Sequence, residues 1–240
     1  MKTRPPFARL LACITILFAG IFTAQAQQLA GCWKLQSGSD QPQTTRIIED
    51  DYFMETVYDI AGKKFINTHG GIIKAANKQV KETIEFHTAD KNVIGSSLEH
   101  PYELKKDVLV ITRNGKPETW HRIDDGKGAL AGNWRITERE QDGKMHPIPE
   151  SPRKTLKILS GNHFQWAAIN TATKEFFGTG GGTYTFTNGK YTENIEFFSR
   201  DNSRVGMSLS FDGSVSGNRW HHSGLSSKGD KISEIWSRYK

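Results

Sequence analysis

The chain has 240 residues, of which 10% are aromatic and 24% charged, with a formal net charge of +6. Lys and Arg alternate with Asp and Glu instead of gathering into a basic stripe, which argues against a nucleic-acid partner. With two cysteines, Cys13 and Cys32, a disulfide-built scaffold is excluded.

The N-terminus carries the pattern of an export signal. Lys2, Arg4 and Arg9 form a positive region, Leu10 to Phe22 an apolar run, and Ala24-Gln25-Ala26 a small-x-small cleavage site. The run is shorter than the ~20 residues a membrane span needs. The mature chain is therefore expected to begin at Gln27, to carry a charge of +3, to lack a transmembrane segment and to be periplasmic or secreted. Cys13 leaves with the signal, so Cys32 has no partner and reads as a buried, inert thiol.

Antiparallel strands follow. The first set is predicted at 31–36, 44–48, 52–58, 65–74, 79–87, 95–104, 108–112 and 118–123, with an Asn114-Gly115 hairpin turn. In 79–87 the residues Val80, Glu82, Ile84 and Phe86 alternate onto one face. The second set is predicted at 132–137, 155–159, 163–169, 175–187, 190–199, 204–210, 216–222 and 232–239, turning at Asn188-Gly189. No stretch offers an amphipathic helix of ten or more residues.

The two sets are copies of one another. Leu29-Ala30-Gly31-Cys32-Trp33 returns as Leu130-Ala131-Gly132-Asn133-Trp134. Residues 44–99 set against 155–210 without gaps give 18 identities in 56 positions, well above chance. Glu118, Trp120 and Arg122 match Glu234, Trp236 and Arg238. The second copy has gained about ten residues near Gln141–Arg153 and about five around His221–Lys228. The polar stretch Asp124–Gly128 separates the copies. The expected organisation is a signal peptide over 1–26, a first domain over 27–125 and a second over 126–240. Eight short strands per copy protect their edges by closing into a barrel. The fold class is all-β: two tandem small antiparallel up-and-down barrels of about eight strands each.

Gly-x-Trp on the first strand, eight strands, and an Arg on the last strand resemble the lipocalin-like (calycin) superfamily. The second copy is similar to exported bacterial lipocalin-like proteins of unknown function. Gly180-Gly181-Gly182-Thr183-Tyr184, Tyr191 to Phe197, Asp201 to Gly206 and Trp220-His221-His222 carry that similarity. The resemblance implies that Trp33 and Trp134 plug the closed ends, with Arg122 and Arg238 packed over them. It implies no known reaction.

No catalytic constellation is legible. Gly178–Gly182 leads into a strand and not a helix, so it reads as a strand bend and not a phosphate loop. Glu193 and Glu196, three apart on a strand, point to opposite faces and cannot form an acid/base pair. Glu193 shares a face with Tyr191, Ile195 and Phe197; inside a barrel it needs a cationic partner, for which Arg204 is a candidate. His221 and His222 likewise point apart, without metal-ligand spacing. There is no Gly-x-Ser-x-Gly elbow. No metal, cofactor or catalytic residue is implied.

The aromatic richness of the second copy suggests a cavity. Its candidate ligand-binding residues are Trp166, Tyr184, Glu193, Arg204, Trp220 and His222. The expected function is an exported, non-enzymatic binding protein for a small apolar or amphipathic molecule. The alternatives are a module with solid barrels acting through its surface, the insertion 141–153 being a contact loop, and a small-barrel hydrolase or isomerase.

Overall fold

A computed structural model describes residues 28–38, 41–226 and 228–239. The expected export signal lies outside the described residues. Strands β1 (Gly31–Leu35), β2 (Gln43–Glu49), β3 (Tyr52–Asp59), β4 (Lys64–Ala76), β5 (Gln79–His87), β6 (Ser97–Lys105), β7 (Val108–Arg113) and β8 (Lys116–Asp124) pair in sequence order. β8 returns to β1, so the first barrel is closed. The second barrel runs through β9 (Gly132–Gln141), β11 (Arg153–Leu159), β12 (His163–Asn170), β13 (Glu175–Thr187), β14 (Lys190–Phe198), β15 (Ser208–Ser216), β16 (Arg219–Leu225) and β17 (Lys231–Arg238), and β17 closes on β9. These are two tandem eight-stranded antiparallel lipocalin-like barrels.

Each barrel is shut at one end in the same way. The Trp33 indole donates to the Leu29 carbonyl at 2.9 Å and the Trp134 indole to the Leu130 carbonyl at 2.8 Å. The Arg122 and Arg238 guanidiniums each stand 4.0 Å over the matching indole ring. They also donate to the Ala30 and Ala131 carbonyls. The stack gains cation–π attraction while the fork satisfies carbonyls at the chain's entry to β1 and β9.

Three local features differ from the pattern expected of the sequence. First, β10 (Lys144–Pro147) forms a hairpin with β9 across Asp142-Gly143, whose φ angles are 51° and 75°. Second, Asn202–Arg204 is a 3₁₀ turn whose cap, Asp201, accepts from the Ser203 N–H. β15 therefore starts at Ser208 and Arg204 is not a strand residue. Third, the bends expected at the paired glycines are register slips at Gly70/Gly71 and Gly181/Gly182, where β5 and β14 carry one extra residue each, Glu85 and Glu196. Gly182 has φ of 152°, and a Cβ there would collide with the Asn194 carbonyl oxygen. Ile84 and Ile195 face their barrel interiors, but the register slip turns Phe86 and Phe197 outward. Phe86 thus does not share a face with Val80, Glu82 and Ile84, and Phe197 leaves the face of Glu193.

The outward-turned rings enter a third core between the barrels. Ile47, Tyr52, Met54 and Phe86 of the first barrel pack on Leu156, Ile158, Ala167 and Ile169 of the second. Phe197 packs against Tyr58 with the rings tilted by 46° and their centroids 4.7 Å apart. Polar contacts also cross between the barrels: Tyr58 donates to Glu196 at 2.8 Å, Lys154 to Glu85 at 2.9 Å, and the buried Gln165 bonds both Thr56 and Thr68.

At the linker, Asp124 of β8 accepts from the Ser160 hydroxyl (2.6 Å), the Gly161 N–H (2.9 Å) and His163 Nδ1 (3.0 Å). Cys32, buried in this seam, lies near both: ligand atoms of Cys32, Asp124 and His163 fall within 4.8 Å of one another. Burial pushes the Cys32 thiol well up, so it stays protonated. The Asp124 oxygens are already committed to donors from the second barrel. The cluster is a docking clamp.

Candidate functional site: the cavity of the second barrel

Inward positions alternate along each strand, so β11 directs Lys157 into the second barrel, β12 Trp166, β14 Tyr191, Glu193 and Ile195, β16 Trp220 and His222, and β17 Glu234 and Trp236. These side chains form two tiers. The lower one is packed solid: Trp134, Trp220 and Tyr191 meet edge to face, with centroids 5.8 Å and 5.0 Å apart. Above it opens a cavity of about 980 Å³.

The floor is polar and mostly paired. Lys157 Nζ stands 2.7 Å from Glu193 Oε1, which also accepts from the Tyr191 hydroxyl at 2.9 Å. The same ammonium lies 5.1–5.4 Å from the ring centres of Tyr191, Trp220 and Trp236. Ion pair and rings together offset the desolvation of a buried cation.

Glu234 accepts from Arg139 at 2.8 Å and 3.1 Å and from the Trp236 indole at 3.0 Å. Burial opposes its ionisation, but His222 and Arg139 outweigh that and hold its pKa at about 2.

His222 differs. It is 2% exposed, burial pushes its pKa below the ordinary value, and its Nδ1 lies 3.7 Å from Glu234, too far for a hydrogen bond. Neither ring nitrogen has a hydrogen-bond partner among the described residues. The imidazole thus brings two uncommitted ring nitrogens to the cavity floor.

The walls are apolar. Trp166 and Phe198 meet edge to face at 5.6 Å, and Ile195, Leu209, Phe211 and Ile232 complete the lining. At the mouth stand Arg153 and Arg200 with Phe177 between them. Ile148 and Pro149, from the insertion after β10, also border the opening.

The first barrel holds no such arrangement in the same place. Arg46 donates to Glu82 at 2.5 Å and to Glu55 at 2.6 Å. Arg113 reaches Glu55 at 3.2 Å and Glu118 at 3.0 Å. Burial favours neutral carboxyls, but the two guanidiniums prevail and hold Glu55 and Glu82 low. The copies superpose by register. Arg46 matches Lys157, Glu55 matches Trp166 and Glu82 matches Glu193. The pairings Ile111–Glu118 and His222–Glu234 then set Arg113 against Gly224. The second barrel has thus lost one interior guanidinium and exchanged a carboxylate for an indole.

Of the residues singled out from the sequence, the structure brings Trp166, Glu193 and His222 to the cavity. Tyr184 and Trp220 lie in the closed tier, where the Tyr184 hydroxyl donates to the Ser160 carbonyl. Arg204 is not the partner of Glu193. It sits in the 3₁₀ turn and bonds Asp201 at 3.0 Å, while Lys157 fills that place. Sequence reasoning passed over Lys157, Glu234 and Arg139. The aligned cation pair Arg46/Lys157, in strands otherwise apolar on that face, was the available signal. The insertion 141–153 is a rim of the cavity.

No family model and no curated protein matches this chain. Among solved structures, a lipocalin-like protein from Bacteroides uniformis ATCC 8492 matches at 14% identity. The match covers 47% of this chain and 100% of that one, with a TM-score of 0.33.

Proposed function

We propose that the protein is an exported, non-enzymatic binding protein whose second barrel holds a small amphipathic molecule, while the first barrel is a solid scaffold. The observation that carries this reading is the difference between the two copies. A cavity of about 980 Å³, within the range of small-molecule sites, opens where the first barrel has its Arg46–Glu55–Arg113 network. Aromatic walls suit an apolar body, and His222 and the Lys157–Glu193 pair suit a polar group. No helix among the described residues is long and apolar enough to cross a membrane.

The neutral fluorophore N-phenyl-1-naphthylamine tests the cavity without reference to charge. Saturable fluorescence enhancement is expected, and Ala168→Trp, which fills the cavity from β12, is expected to abolish it. An absence of saturable binding, or binding unaffected by that variant, overturns the reading. N-terminal sequencing of protein recovered from the cell envelope tests export: the expected first residue is Gln27.

A further inference from the structure

We infer that the molecule held in the second barrel is an organic anion, its charged group at the mouth between Arg153 and Arg200 and its apolar body against the aromatic walls below. The inference rests on the second barrel being a binding cavity. It follows from the charge balance of the lining, in which seven cationic side chains face two carboxylates.

Both carboxylates are deep and already engaged, Glu193 by Lys157 and Glu234 by Arg139. A third cation, Lys154, is neutralised from outside the lining by Glu85 at 2.9 Å. Four cations are left: Arg135, Arg153, Arg200 and Lys228. Among the described residues none of the four has a carboxylate at ion-pair distance. Arg135 donates only to backbone carbonyls, those of Ile136, Ile148 and Pro149 at 3.3–3.5 Å.

Two of the four are held in place at one lip by a single residue. The Arg153 guanidinium stacks over the Phe177 ring at 4.7 Å, and Arg200 Nε donates to the Phe177 carbonyl at 2.5 Å. Stacking and the backbone bond restrain two rotamer-rich side chains beforehand, which lowers the entropic cost of binding. Arg200 keeps its terminal nitrogens for an incoming oxyanion, a geometry guanidinium serves well. Unpaired positive charge around the mouth of a low-dielectric cavity focuses its field on the entrance and raises the local concentration of anions. A cationic ligand meets repulsion there, and a neutral one gains nothing from the rim.

Three twelve-carbon probes with different head groups separate these cases: dodecanoate, 1-dodecanol and dodecyltrimethylammonium. They are titrated below their aggregation limits and followed by tryptophan fluorescence, since Trp166 and Trp236 line the cavity. Dodecanoate is expected to bind about tenfold more tightly than dodecanol at low salt, with the gap narrowing as salt is raised. Dodecyltrimethylammonium is expected to bind most weakly.

In the exposed double variant Arg153→Gln/Arg200→Gln, dodecanoate is expected to fall to the dodecanol level while dodecanol is unchanged. Equal binding of all three probes, or equal loss of dodecanoate and dodecanol in the variant, overturns the inference. If N-phenyl-1-naphthylamine still binds and Ala168→Trp still blocks it, the cavity reading survives that result. If no probe binds at all, both fall.

Discussion

Lys157 and Glu193 meet at 2.7 Å in the second barrel where Arg46 and Glu82 meet at 2.5 Å in the first. One ion pair at homologous positions therefore underlies both interiors. In the first it is continued by Arg113, Glu55 and Glu118 as a charged network; in the second it is the floor of a cavity.

Both partners of the Lys157–Glu193 pair are under a tenth exposed. Removing one strands the other in a low-dielectric setting. Lys157→Met is expected to destabilise the protein by about 3–5 kcal/mol. Lys157→Met/Glu193→Leu is expected to recover most of that loss, because no charge is then left unpaired. Urea unfolding of the three proteins checks this, and a double variant no better than the single would show that the pair is not coupled as the geometry requires.

Asp124 ties the end of the first barrel to the β11–β12 turn of the second. Burial opposes its charge, but donors from His163, Ser160 and the Gly161 N–H prevail and hold its carboxyl well below the usual range. Asp124→Ala leaves those donors in the seam without their acceptor and is expected to cost about 3 kcal/mol. Amide exchange should quicken at Gly161 and Asn162 before it does in the barrel cores. A carboxylate with a depressed folded pKa contributes fully above its unfolded pKa and loses that contribution as pH falls. The gap between wild type and Asp124→Ala should therefore shrink in acid.

Glu49 behaves in the opposite sense. Burial, with Asp50 and Asp124 adding to it, raises its pKa to about 9, and its Oε1 has no partner among the described residues. Below the unfolded pKa the neutral carboxyl is tolerated in both states. As pH rises from there towards 9, the unfolded chain gains by ionising while the folded one does not. Wild type should thus lose stability progressively between about pH 5 and 9 relative to Glu49→Gln. Thermal unfolding of both proteins across that window is the measurement, and a constant difference would contradict the assignment.

Gly182 sits at the bulge that turns Phe197 towards Tyr58. Gly182→Ala places a methyl group against the Asn194 carbonyl and is expected to destabilise by about 2 kcal/mol or more. A further sign would be loss of the Phe197–Tyr58 contact in NMR spectra.

The sequence made the architecture legible because its signals are local. Repeated Gly-x-Trp, Asn-Gly turns and alternating strands each act over a few residues, and the duplication read them twice. Asp142-Gly143 carried the same kind of signal and marked β10, but the polar insertion around it hid the strand. The bulges were harder. The paired glycines suggested a bend, but which phenylalanine would leave the interior depends on a register slip against a neighbouring strand.

The cavity was legible only in part. Trp166, Glu193 and His222 were among the candidates that the aromatic richness of the second copy suggested, whereas Lys157 as the partner of Glu193 required knowing that β11 and β14 face one another across the barrel. Arg153 and Arg200 are brought together by Phe177, a tertiary contact with no spacing to betray it.

The core between the barrels has a practical consequence for anyone who wants the second barrel alone. Leu156, Ile158, Ala167 and Ile169 are at most 1% exposed, and they share that shelter with side chains of the first barrel. Expressing residues 126–240 by themselves would bare a continuous apolar strip along two adjacent strands, the kind of surface that drives aggregation. A soluble single-barrel reagent should therefore begin with polar replacements at these four positions, which lie outside the cavity lining.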